Sequence, residues 1–431
     1  MNPEFRRQLW LQFTVTRLTL LPALLLTCFT AVYLSANDMH AQALAVAGAV
    51  LFVGLVWGMG TLAAGASVID EVTDRTWDQQ RMSAMQPWAM TWGKLAGATA
   101  YGWYGGALCL LVALPSALLS ESREQAWQLA LVGVLSGVFL QATLLAVNLQ
   151  LAKIGGRMVR RGGIWTLLLL LLWGLGPASG LVRDPGPTWW SQPLNALDFA
   201  VVSLVLFAVC AVVAAWRSMA EVLMVRQWPW GWPALALLAT VYLTGFTPSH
   251  RLEAFGLVGL SACAVLTYVS LLTEPQPRTL WQRVATRLSV GQWQAALRQL
   301  PRWPTTLLLA LPFAVWVTLT LGRHDLLPWS QEDQFTLPPL SLVLLMGRDA
   351  ALALFLAFSV SGRRPVLGFV VLMAVLYGLL PWLFGLADNP ILLGLVQPLL
   401  ATGPLSLVFA TAHLAIALGL LRWRWQATAP D

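Results

Sequence analysis

Long uncharged apolar runs constrain this chain more than any other feature. The runs Leu18–Ser35, Ala43–Val68, Leu95–Leu119 and Trp127–Leu151 contain no Asp, Glu, Lys or Arg. A helix needs roughly 20 apolar residues to cross a hydrocarbon core about 30 Å thick, and each run is near or above that length. Charged residues make up only 10% of the chain, whereas soluble domains carry about 25%. The sequence therefore predicts a polytopic membrane protein.

Eight further apolar runs bring the predicted total to about twelve spans, which makes the expected fold an all-α bundle of transmembrane helices. These runs are Ile164–Val182, Phe199–Trp216, Trp232–Phe246, Phe255–Leu272, Thr305–Leu321, Leu340–Val360, Val366–Leu386 and Leu405–Leu421. The basic N-terminus leads into a long run without an obvious cleavage site. We therefore expect the first helix to be retained in the mature protein.

The distribution of positive charge predicts how the spans are oriented. With twelve spans and the N-terminus inside, 21 of the 26 Lys and Arg residues fall in cytoplasmic segments, four fall in outer loops, and Arg348 lies within a span. Cytoplasmic loops carry an excess of Lys and Arg, and one missed helix would invert every later loop. We therefore predict that both termini are cytoplasmic. The topology accounts for the basic charge. We therefore expect the chain to interact with the lipid bilayer and not to bind nucleic acid.

Cysteine and histidine show no ligand pattern. The four cysteines lie inside apolar runs, where they are expected to behave as small buried hydrophobes. The four histidines are scattered, without the spacing of a zinc site. We therefore predict no metal and no cofactor bound by this chain. Nucleophile motifs and paired carboxylates do not stand out either, so we do not expect an enzyme.

The segment after the second span, residues 69–87, is longer and more patterned than a connector. Glu71 precedes Arg75 at the i,i+4 spacing that supports a helix surface, and Pro87 is expected to end that helix. An apolar stripe is predicted to comprise Trp77, Met82 and Met85. Two interpretations are open: a cytoplasmic helical excursion with charged groups exposed for docking a partner, or an interfacial helix that only connects two spans.

Residues 67–98 resemble the loop after the second helix of ABC-2 type permeases. That family carries a Glu, a Thr a few positions on, a Pro turn and a Gly-Lys pair that opens the third helix. The matching positions are Glu71, Thr76, Pro87, Gly93 and Lys94. Arg75 departs from the family, which usually has Gly there. The N-terminal segment 2–18 is similar to the family's amphipathic elbow helix, which lies on the cytoplasmic face before the first span.

The resemblance covers residues 1–220 and implies an ABC-2-like permease half with an elbow helix and spans 1–6. It implies that the segment around 71–87 docks on a separate ABC ATPase subunit and couples ATP hydrolysis to the helices. The residues that would carry docking and coupling are Glu71, Arg75, Thr76, Trp77, Arg81, Pro87 and Lys94. It also favours export, with a homodimer or a second permease completing the transporter.

A second long cytoplasmic segment, residues 273–304, joins spans 8 and 9. Leu280, Val284 and Leu288 recur at i,i+4,i+8, and Arg283 and Arg287 fall on a neighbouring face. This pattern predicts a basic amphipathic helix suited to the inner membrane interface. The run that follows resembles the N-terminal segment. Residues 305–431, with spans 9–12, are then a degenerate repeat of the first half. The alternative is that residues 273–304 are a plain linker. Residues 221–272 supply spans 7 and 8.

Arg348 and Asp349 are the clearest polar residues inside a predicted span, and intramembrane charge defaults to a functional hypothesis. Adjacent helical residues lie about 100° apart, so we expect the two to pair with other helices or to line an aqueous pathway; the alternative is a structural ion pair. His413 is interpreted as a packing residue. Gly54 and Gly58 fit the spacing of close helix approach.

The chain contains no GxxxxGK[ST] phosphate loop, so it is not expected to bind ATP in the P-loop manner. An ATP-driven transporter then requires ATP to be used by a partner subunit. The leading hypothesis is the permease subunit of such a transporter in a bacterial inner membrane. The alternatives are a twelve-helix ion-coupled secondary transporter and a membrane-embedded enzyme or scaffold.

Overall fold

The computed structural model of the chain is almost entirely helical. It describes residues 2–36, 38–74, 76–83, 85–120, 123–152, 186–225, 227–247, 251–321, 339–359, 365–386, 389–401 and 404–427. Within these residues one hairpin of two-residue strands, Thr188–Trp189 (β1) and Gln192–Pro193 (β2), is the only sheet. The predicted all-α class is confirmed.

The chain forms two compact units. Unit 1 comprises Met1–Pro187 and Pro193–Gln227, and unit 2 comprises Thr188–Gln192 and Trp228–Asp431.

The described part of unit 1 contains eight α-helices and two π-helical stretches. The helices are α1 (Pro3–Gln12), α2 (Val15–Ser35), α3 (His40–Thr73), α4 (Trp77–Arg81), α5 (Pro87–Trp92), α6 (Ala100–Leu118), α7 (Ala126–Ala152) and α8 (Ala196–Val222). One π-helical stretch, Val53–Gly60, lies inside α3, and the other, Gly93–Ala98, joins α5 to α6. The short helix α1 is separate from α2 and precedes it.

The described part of unit 2 contains nine α-helices. They are α9 (Gly231–Thr244), α10 (Arg251–Thr273), α11 (Arg278–Ser289), α12 (Trp293–Leu297), α13 (Trp303–Leu321), α14 (Pro339–Ala357), α15 (Pro365–Gly385), α16 (Pro390–Val396) and α17 (Pro404–Ala427). A third π-helical stretch, Val375–Leu379, lies inside α15, and a 3-10 turn, Pro398–Leu400, follows α16.

Ten of the described helices are long and apolar enough to cross a membrane, so the chain is a multi-pass membrane protein. They are α2, α3, α6, α7, α8, α10, α13, α14, α15 and α17. Helix α9 corresponds to the predicted seventh span but has 14 residues, or about 21 Å at 1.5 Å per residue. The predicted fifth span, Ile164–Val182, lies outside the described residues.

Glycines set the close packing of unit 1, but they are not the predicted pair. A Cβ added to Gly54 or Gly58 would have no neighbouring atom within 4 Å, so the close approach predicted for this pair is not found among the described residues. A Cβ on Gly60 would instead lie 2.6 Å from Nε2 of Gln141, and one on Gly65 would lie 2.7 Å from Nδ2 of Asn148. Both contacts place α3 directly against α7. The GxxxG spacing indicates a close approach but does not say which face of the helix makes it.

Hydrogen bonds between α3 and α7 hold the π-helical stretch of α3. Gln141 donates from Nε2 to the carbonyl oxygen of Val56 at 3.0 Å, and Trp57 donates from Nε1 to the carbonyl oxygen of Gly133 at 2.9 Å. A π-helix replaces i,i+4 hydrogen bonds by i,i+5 bonds and is rare. The bond to Val56 therefore adds a side-chain donor at the irregular stretch.

Unit 2 packs around α10, α13 and α14. Helices α10 and α13 run antiparallel, since Trp316 donates to the carbonyl oxygen of Leu252 at 2.8 Å while the hydroxyls of Thr267 and Thr306 lie 2.8 Å apart. Helix α14 packs against α17, where the buried hydroxyl of Ser406 donates to that of Ser341 at 3.0 Å. Paired hydroxyls satisfy groups for which the surrounding apolar residues offer no partner.

Candidate functional site

Four charged side chains of unit 1 meet where α3 ends and the next span begins. Glu4, Arg7, Glu71 and Lys94 are called the Glu71–Lys94 cluster below. Lys94 is fully buried, and its Nζ lies 2.5 Å from Oε2 of Glu71 and 3.4 Å from Oε1 of Glu4. The same Nζ donates to the carbonyl oxygen of Ser67 at 3.1 Å. A buried ammonium requires such partners, because an unpaired charge away from water is strongly destabilising.

Arg7 completes the cluster from its more exposed side. Its Nε and Nη2 donate to the carboxylate of Glu4 at 3.0 and 2.8 Å, and Nη2 also binds the carboxylate of Glu71. The Arg7 side chain is 42% exposed. Two carboxylates therefore face two cations, and the cluster is neutral as a whole.

The charges of Lys94 and Arg7 keep Glu4 ionised. Burial by itself raises the pKa of Glu4, but the hydrogen bond from Arg7 and the charge of Lys94 outweigh it, so the pKa lies below its ordinary value. The hydrogen bond to Glu4 raises the pKa of Arg7 despite the burial of part of its guanidinium. The ion pair between Glu4 and Arg7 is therefore present at neutral pH.

Two glycines let α1 lie close enough to place Glu4. A Cβ on Gly93 would lie 2.6 Å from Cγ of Glu4, and a Cβ on Gly97 would lie 2.6 Å from Cβ of Gln8. Asn2 begins α1 as its N-cap by accepting a hydrogen bond from the backbone N–H of Glu4 at 3.0 Å. The Gly-Lys pair thus has two roles: the glycine admits α1 and the lysine binds it.

The structure changes the interpretation of the predicted docking residues. Glu71 and Lys94 are buried, so the expectation that these charges are exposed is wrong. Trp77 is also buried, with Nζ of Lys94 lying 5.6 Å from its ring centroid. Thr76 is exposed and donates from its hydroxyl to the carbonyl oxygen of Glu71 at 3.3 Å. Arg75 and the side chain of Arg81 lie outside the described residues.

The predicted helical excursion is also shorter than expected. Helix α3 ends at Thr73 and α4 has five residues, whereas the pattern predicted one helix up to Pro87. Pro87 begins α5 at its first turn instead of ending a helix, which suits a residue that lacks an N–H. The predicted stripe is wrong because Trp77 is buried while Met82 is 79% exposed.

An exposed surface remains beside the cluster. It comprises Asp70, Thr73, Asp74, Thr76, Gln79 and Met82, and is called the 70–82 surface. Asp70 and Asp74 give it negative charge, and Met82 gives it an exposed apolar group. A partner could contact this surface directly but would reach Glu71 only through the backbone that carries both.

A second buried ionic group lies in unit 2, within the membrane-spanning helices. Oδ1 of Asp349 binds Nε and Nη2 of Arg348 at 2.8 and 2.7 Å. Oδ2 accepts hydrogen bonds from the hydroxyls of Tyr268 and Tyr377, both at 2.6 Å. These residues and His413 are called the Asp349 cluster. Asp349 is fully buried, so each carboxylate oxygen is satisfied by donors from the protein.

Arg348 and Asp349 pair with residues of other helices, as expected, and also with each other, which is the alternative of a structural ion pair. The long Arg348 side chain bends back to the neighbouring carboxylate, which the 100° separation of the two Cα–Cβ bonds does not prevent. Nη1 of Arg348 lies 3.1 Å from Nδ1 of His413, and Nε2 of His413 lies 2.9 Å from the carbonyl oxygen of Leu395. His413 is therefore a member of a polar network that joins α14, α16 and α17.

A groove of about 430 Å³ lies beside the Asp349 cluster. Its lining residues are Tyr268, Leu272, Leu342, Phe369, Val370, Met373 and Tyr377. The two tyrosines supply its hydroxyl groups, and both donate to Asp349. Among the described residues, no group of three or more His, Cys, Asp or Glu side chains is placed to hold a metal ion.

Sequence reasoning missed four residues of these clusters. Glu4 in the first turn of α1 fits a helix N-terminus, so its long-range pairing with Lys94 could not be inferred from position. Arg7 was counted only as topological charge. Tyr268 and Tyr377 carried a usable signal, because a tyrosine hydroxyl in an apolar span needs a hydrogen-bond partner.

No family model, curated protein or solved structure matches the chain. The resemblance to ABC-2 type permeases therefore stays a prediction that rests on the motif residues.

Proposed function

We propose that this chain is the permease subunit of an ATP-driven exporter of the ABC-2 type, which works with a separate ABC ATPase. The observation that supports this proposal best is the Glu71–Lys94 cluster. It ties the helix before the first span, the end of the second span and the start of the third span to one another. The 70–82 surface lies immediately beside it.

This arrangement suits the transfer of movement from a partner to the membrane. A partner that displaces the 70–82 surface would move the end of α3, because the exposed and buried residues belong to one short stretch of chain. Glu71 would pull Lys94 and Arg7 with it, since breaking a buried ion pair is strongly unfavourable. Helices α1 and α3 and the following span would then move as one body, which is a common form of coupling.

We further propose twelve spans with both termini in the cytoplasm of a bacterial inner membrane. Three helix pairs run in the directions that this topology requires. Helices α3 and α7 are parallel, because Gly60 lies against Gln141 and Gly65 against Asn148. Helices α7 and α8 are parallel too, because Gln128 donates to Asp198 at 2.8 Å and Gln150 to Ser218 at 2.9 Å.

The third pair, α14 and α17, is parallel by the contacts Ser341–Ser406 and Arg348–His413. Parallel neighbours enter the membrane from the same face, so an odd number of crossings must separate them. The predicted topology places one crossing between α3 and α7 and one between α14 and α17, namely α6 and α15. Between α7 and α8 it places Ile164–Val182, which lies outside the described residues.

The proposed function requires two kinds of partner. One is an ABC ATPase that uses ATP, and the other is a second copy of this chain or another permease that completes the pathway. The test is purification of the tagged full-length protein from its native membranes, with identification of its partner and an ATPase assay. Asp74→Arg reverses a charge on the 70–82 surface and is expected to lose the ATPase. Asp38→Arg is the matched control, since Asp38 is an exposed aspartate in a predicted outer loop.

A stoichiometric P-loop ATPase that is lost with Asp74→Arg and kept with Asp38→Arg supports the proposal. If wild-type protein purifies without any ATPase, the proposal is wrong. If both variants keep the ATPase, the coupling surface lies elsewhere and the assignment of residues 70–82 is wrong.

The second candidate is an ion-coupled carrier, and the Asp349 cluster favours it because buried ionisable groups in membranes often mark ion pathways. Asp349, however, already accepts hydrogen bonds from Tyr268 and Tyr377 and binds Arg348. A transported cation would have to displace these donors. Transport driven by a proton or sodium gradient in vesicles without ATP, and abolished by Asp349→Asn, would favour this candidate over the first.

A further inference from the structure

Helix α11 presents two different faces, and the described residues of the protein cover only one of them. Val284 is buried, and the ring of Trp281 lies 5.7 Å from that of Trp303 at the start of α13. At its first residue, Arg278 donates from Nη2 to the carbonyl oxygen of Trp425 at 2.8 Å. The apolar face predicted for the membrane is therefore packed against other helices of unit 2, and these contacts fix the rotation of α11.

The opposite face of α11 forms a polar groove of about 390 Å³. Its lining residues are Thr279, Gln282, Arg283, Thr286 and Arg287, which recur at the spacing of one helix face. Arg283 is exposed and has no hydrogen-bond or ion-pair partner among the described residues. Arg287 uses Nη1 to donate to the carbonyl oxygen of Ala295 at 3.1 Å, which holds its guanidinium at the groove.

The other arginines of the 273–304 segment are engaged elsewhere. Arg302 forms an ion pair with Glu274 at 3.0 Å, and the Arg298 guanidinium lies 4.8 Å from the ring centroid of Trp228. Glu274 is the only acidic residue of this segment, against five arginines. The groove therefore carries positive charge that no acidic side chain of its own segment balances.

The position of α11 selects the kind of anion it meets. Four residues separate the end of span α10 from α11, so the first residue of α11 lies within about 18 Å of the membrane end of that span. Beyond α11, Val290 is 66% exposed and Trp293 is 63% exposed. Tryptophan favours the membrane–water interface, so this turn is suited to the glycerol region of a lipid beside a basic groove.

We propose that the α11 groove binds the phosphate headgroup of an anionic phospholipid of the inner leaflet. Arg283 and Arg287 supply the charge, Thr279 supplies a hydroxyl donor, and Val290 and Trp293 contact the apolar part of the lipid. The planar guanidinium groups can bind phosphate oxygens with two parallel hydrogen bonds. This inference does not depend on what the chain transports or on what drives it.

The test is binding of phosphatidylglycerol and phosphatidylcholine to the purified full-length protein in detergent, measured as dissociation constants by native mass spectrometry. Each arginine near an anionic surface contributes about a fivefold change in affinity. Arg283→Gln/Arg287→Gln is therefore expected to weaken phosphatidylglycerol binding by roughly 30-fold and to leave phosphatidylcholine binding unchanged. Arg283→Lys, which keeps the charge, is expected to weaken it less than Arg283→Gln.

The matched control is Arg6→Gln, because Arg6 is also exposed, has no partner among the described residues and lies on a helix outside the spans. It is expected to change lipid affinity by less than about twofold. Equal affinity for the two lipids, or equal losses in Arg283→Gln and Arg6→Gln, would overturn the proposal. So would displacement of the lipid by free glycerol phosphate at an equal concentration, which would indicate an anion site without a role for the lipid chains.

Discussion

The two buried ionic clusters of this protein use similar residues in different ways. The Glu71–Lys94 cluster gathers four charges from three segments that are far apart in the sequence. The Asp349 cluster contains one carboxylate whose cation is the preceding residue, and the other helices contribute uncharged tyrosines and a histidine. Removing a charge from the first cluster separates segments, whereas removing the charge of Asp349 also leaves its own neighbour unpaired.

This difference indicates different tasks. Ion pairs between distant segments transmit displacement from one segment to the next, which suits a coupling device. An ion pair between neighbouring residues does not transmit displacement between distant segments. It places two opposite charges in the membrane, and three other helices form hydrogen bonds with them. We therefore expect the first cluster to affect both stability and coupling, and the second to affect mainly the packing of unit 2.

The largest expected effect is that of Lys94→Met, which leaves Glu4 and Glu71 buried near each other with Arg7 alone. Breaking a buried pair from one side costs about 3–5 kcal/mol. Glu71→Gln/Lys94→Met removes both charges and is expected to be less destabilised than Lys94→Met. The measurement is the free energy of unfolding of the full-length protein in detergent, analysed as a double-mutant cycle. Additive losses would show that the two side chains do not interact.

The next largest effect is expected for Asp349→Asn, which keeps the shape of the side chain but leaves Arg348 without its anion. We expect a loss of about 3 kcal/mol in the free energy of unfolding. The control is Asp38→Asn, an exposed aspartate, for which a change within about 0.5 kcal/mol is expected. Equal effects of the two substitutions would indicate that Asp349 faces water and lines a pathway.

A matched pair of glycines, each directly before the cation of its cluster, sharpens the contrast further. In Gly93→Ala the new Cβ would lie 2.6 Å from Cγ of Glu4 and 2.9 Å from the backbone nitrogen of Phe5, so we expect a loss of about 1–3 kcal/mol from overpacking. In Gly347→Ala the nearest atom is Cδ1 of Leu414 at 3.4 Å.

Because Gly347 lies within α14, an alanine there is expected to stabilise the helix by about 0.5–1 kcal/mol. Thermal unfolding of the two variants in the same detergent is the measurement. Destabilisation by Gly347→Ala as large as by Gly93→Ala would contradict the view that only the first cluster depends on a close backbone approach.

The smallest effect is expected from pH, and only in unit 1. The pKa of Glu4 is held below its ordinary value, so the unfolded state binds its proton first as the pH falls. Its contribution to stability is therefore complete above the ordinary pKa of a glutamate and is lost as the pH falls through the lower pKa of the folded state. The melting temperature of wild type is expected to fall more steeply below pH 4.5 than that of Glu4→Gln; parallel curves would argue against the pairing.

Much of the fold could be predicted from the sequence because the membrane restricts the choices. Long runs such as Ala43–Val68 and Trp127–Leu151 had to be helices, since only helices and closed barrels satisfy the backbone in lipid. The described helices covering them extend further, to His40–Thr73 and Ala126–Ala152. The helices extend beyond the apolar runs because polar residues at their ends pair with other groups of the protein. Hydropathy alone does not show this pairing.

The candidate site was less predictable, for a physical reason. The motif drew attention to Glu71 and Lys94, which the structure brings together, but it could not show whether they face a partner or each other. Their burial depends on the approach of α1 to Gly93 and Gly97, which is a contact across the sequence. The same limitation applied to Arg348, because the flexibility of its side chain outweighs the angle between adjacent helical positions.

The π-helical stretch Val53–Gly60 gives α3 a register that differs from that of a regular helix. A π turn holds about one residue more than an α turn. A return of this stretch to regular α-helix would therefore screw the following part of α3 by about 100° and carry Glu71 away from Lys94. The ion pairs of unit 1 fit only one of these two settings. The hydrogen bond from Gln141 to the carbonyl oxygen of Val56 therefore stabilises the register in which Glu71 reaches Lys94.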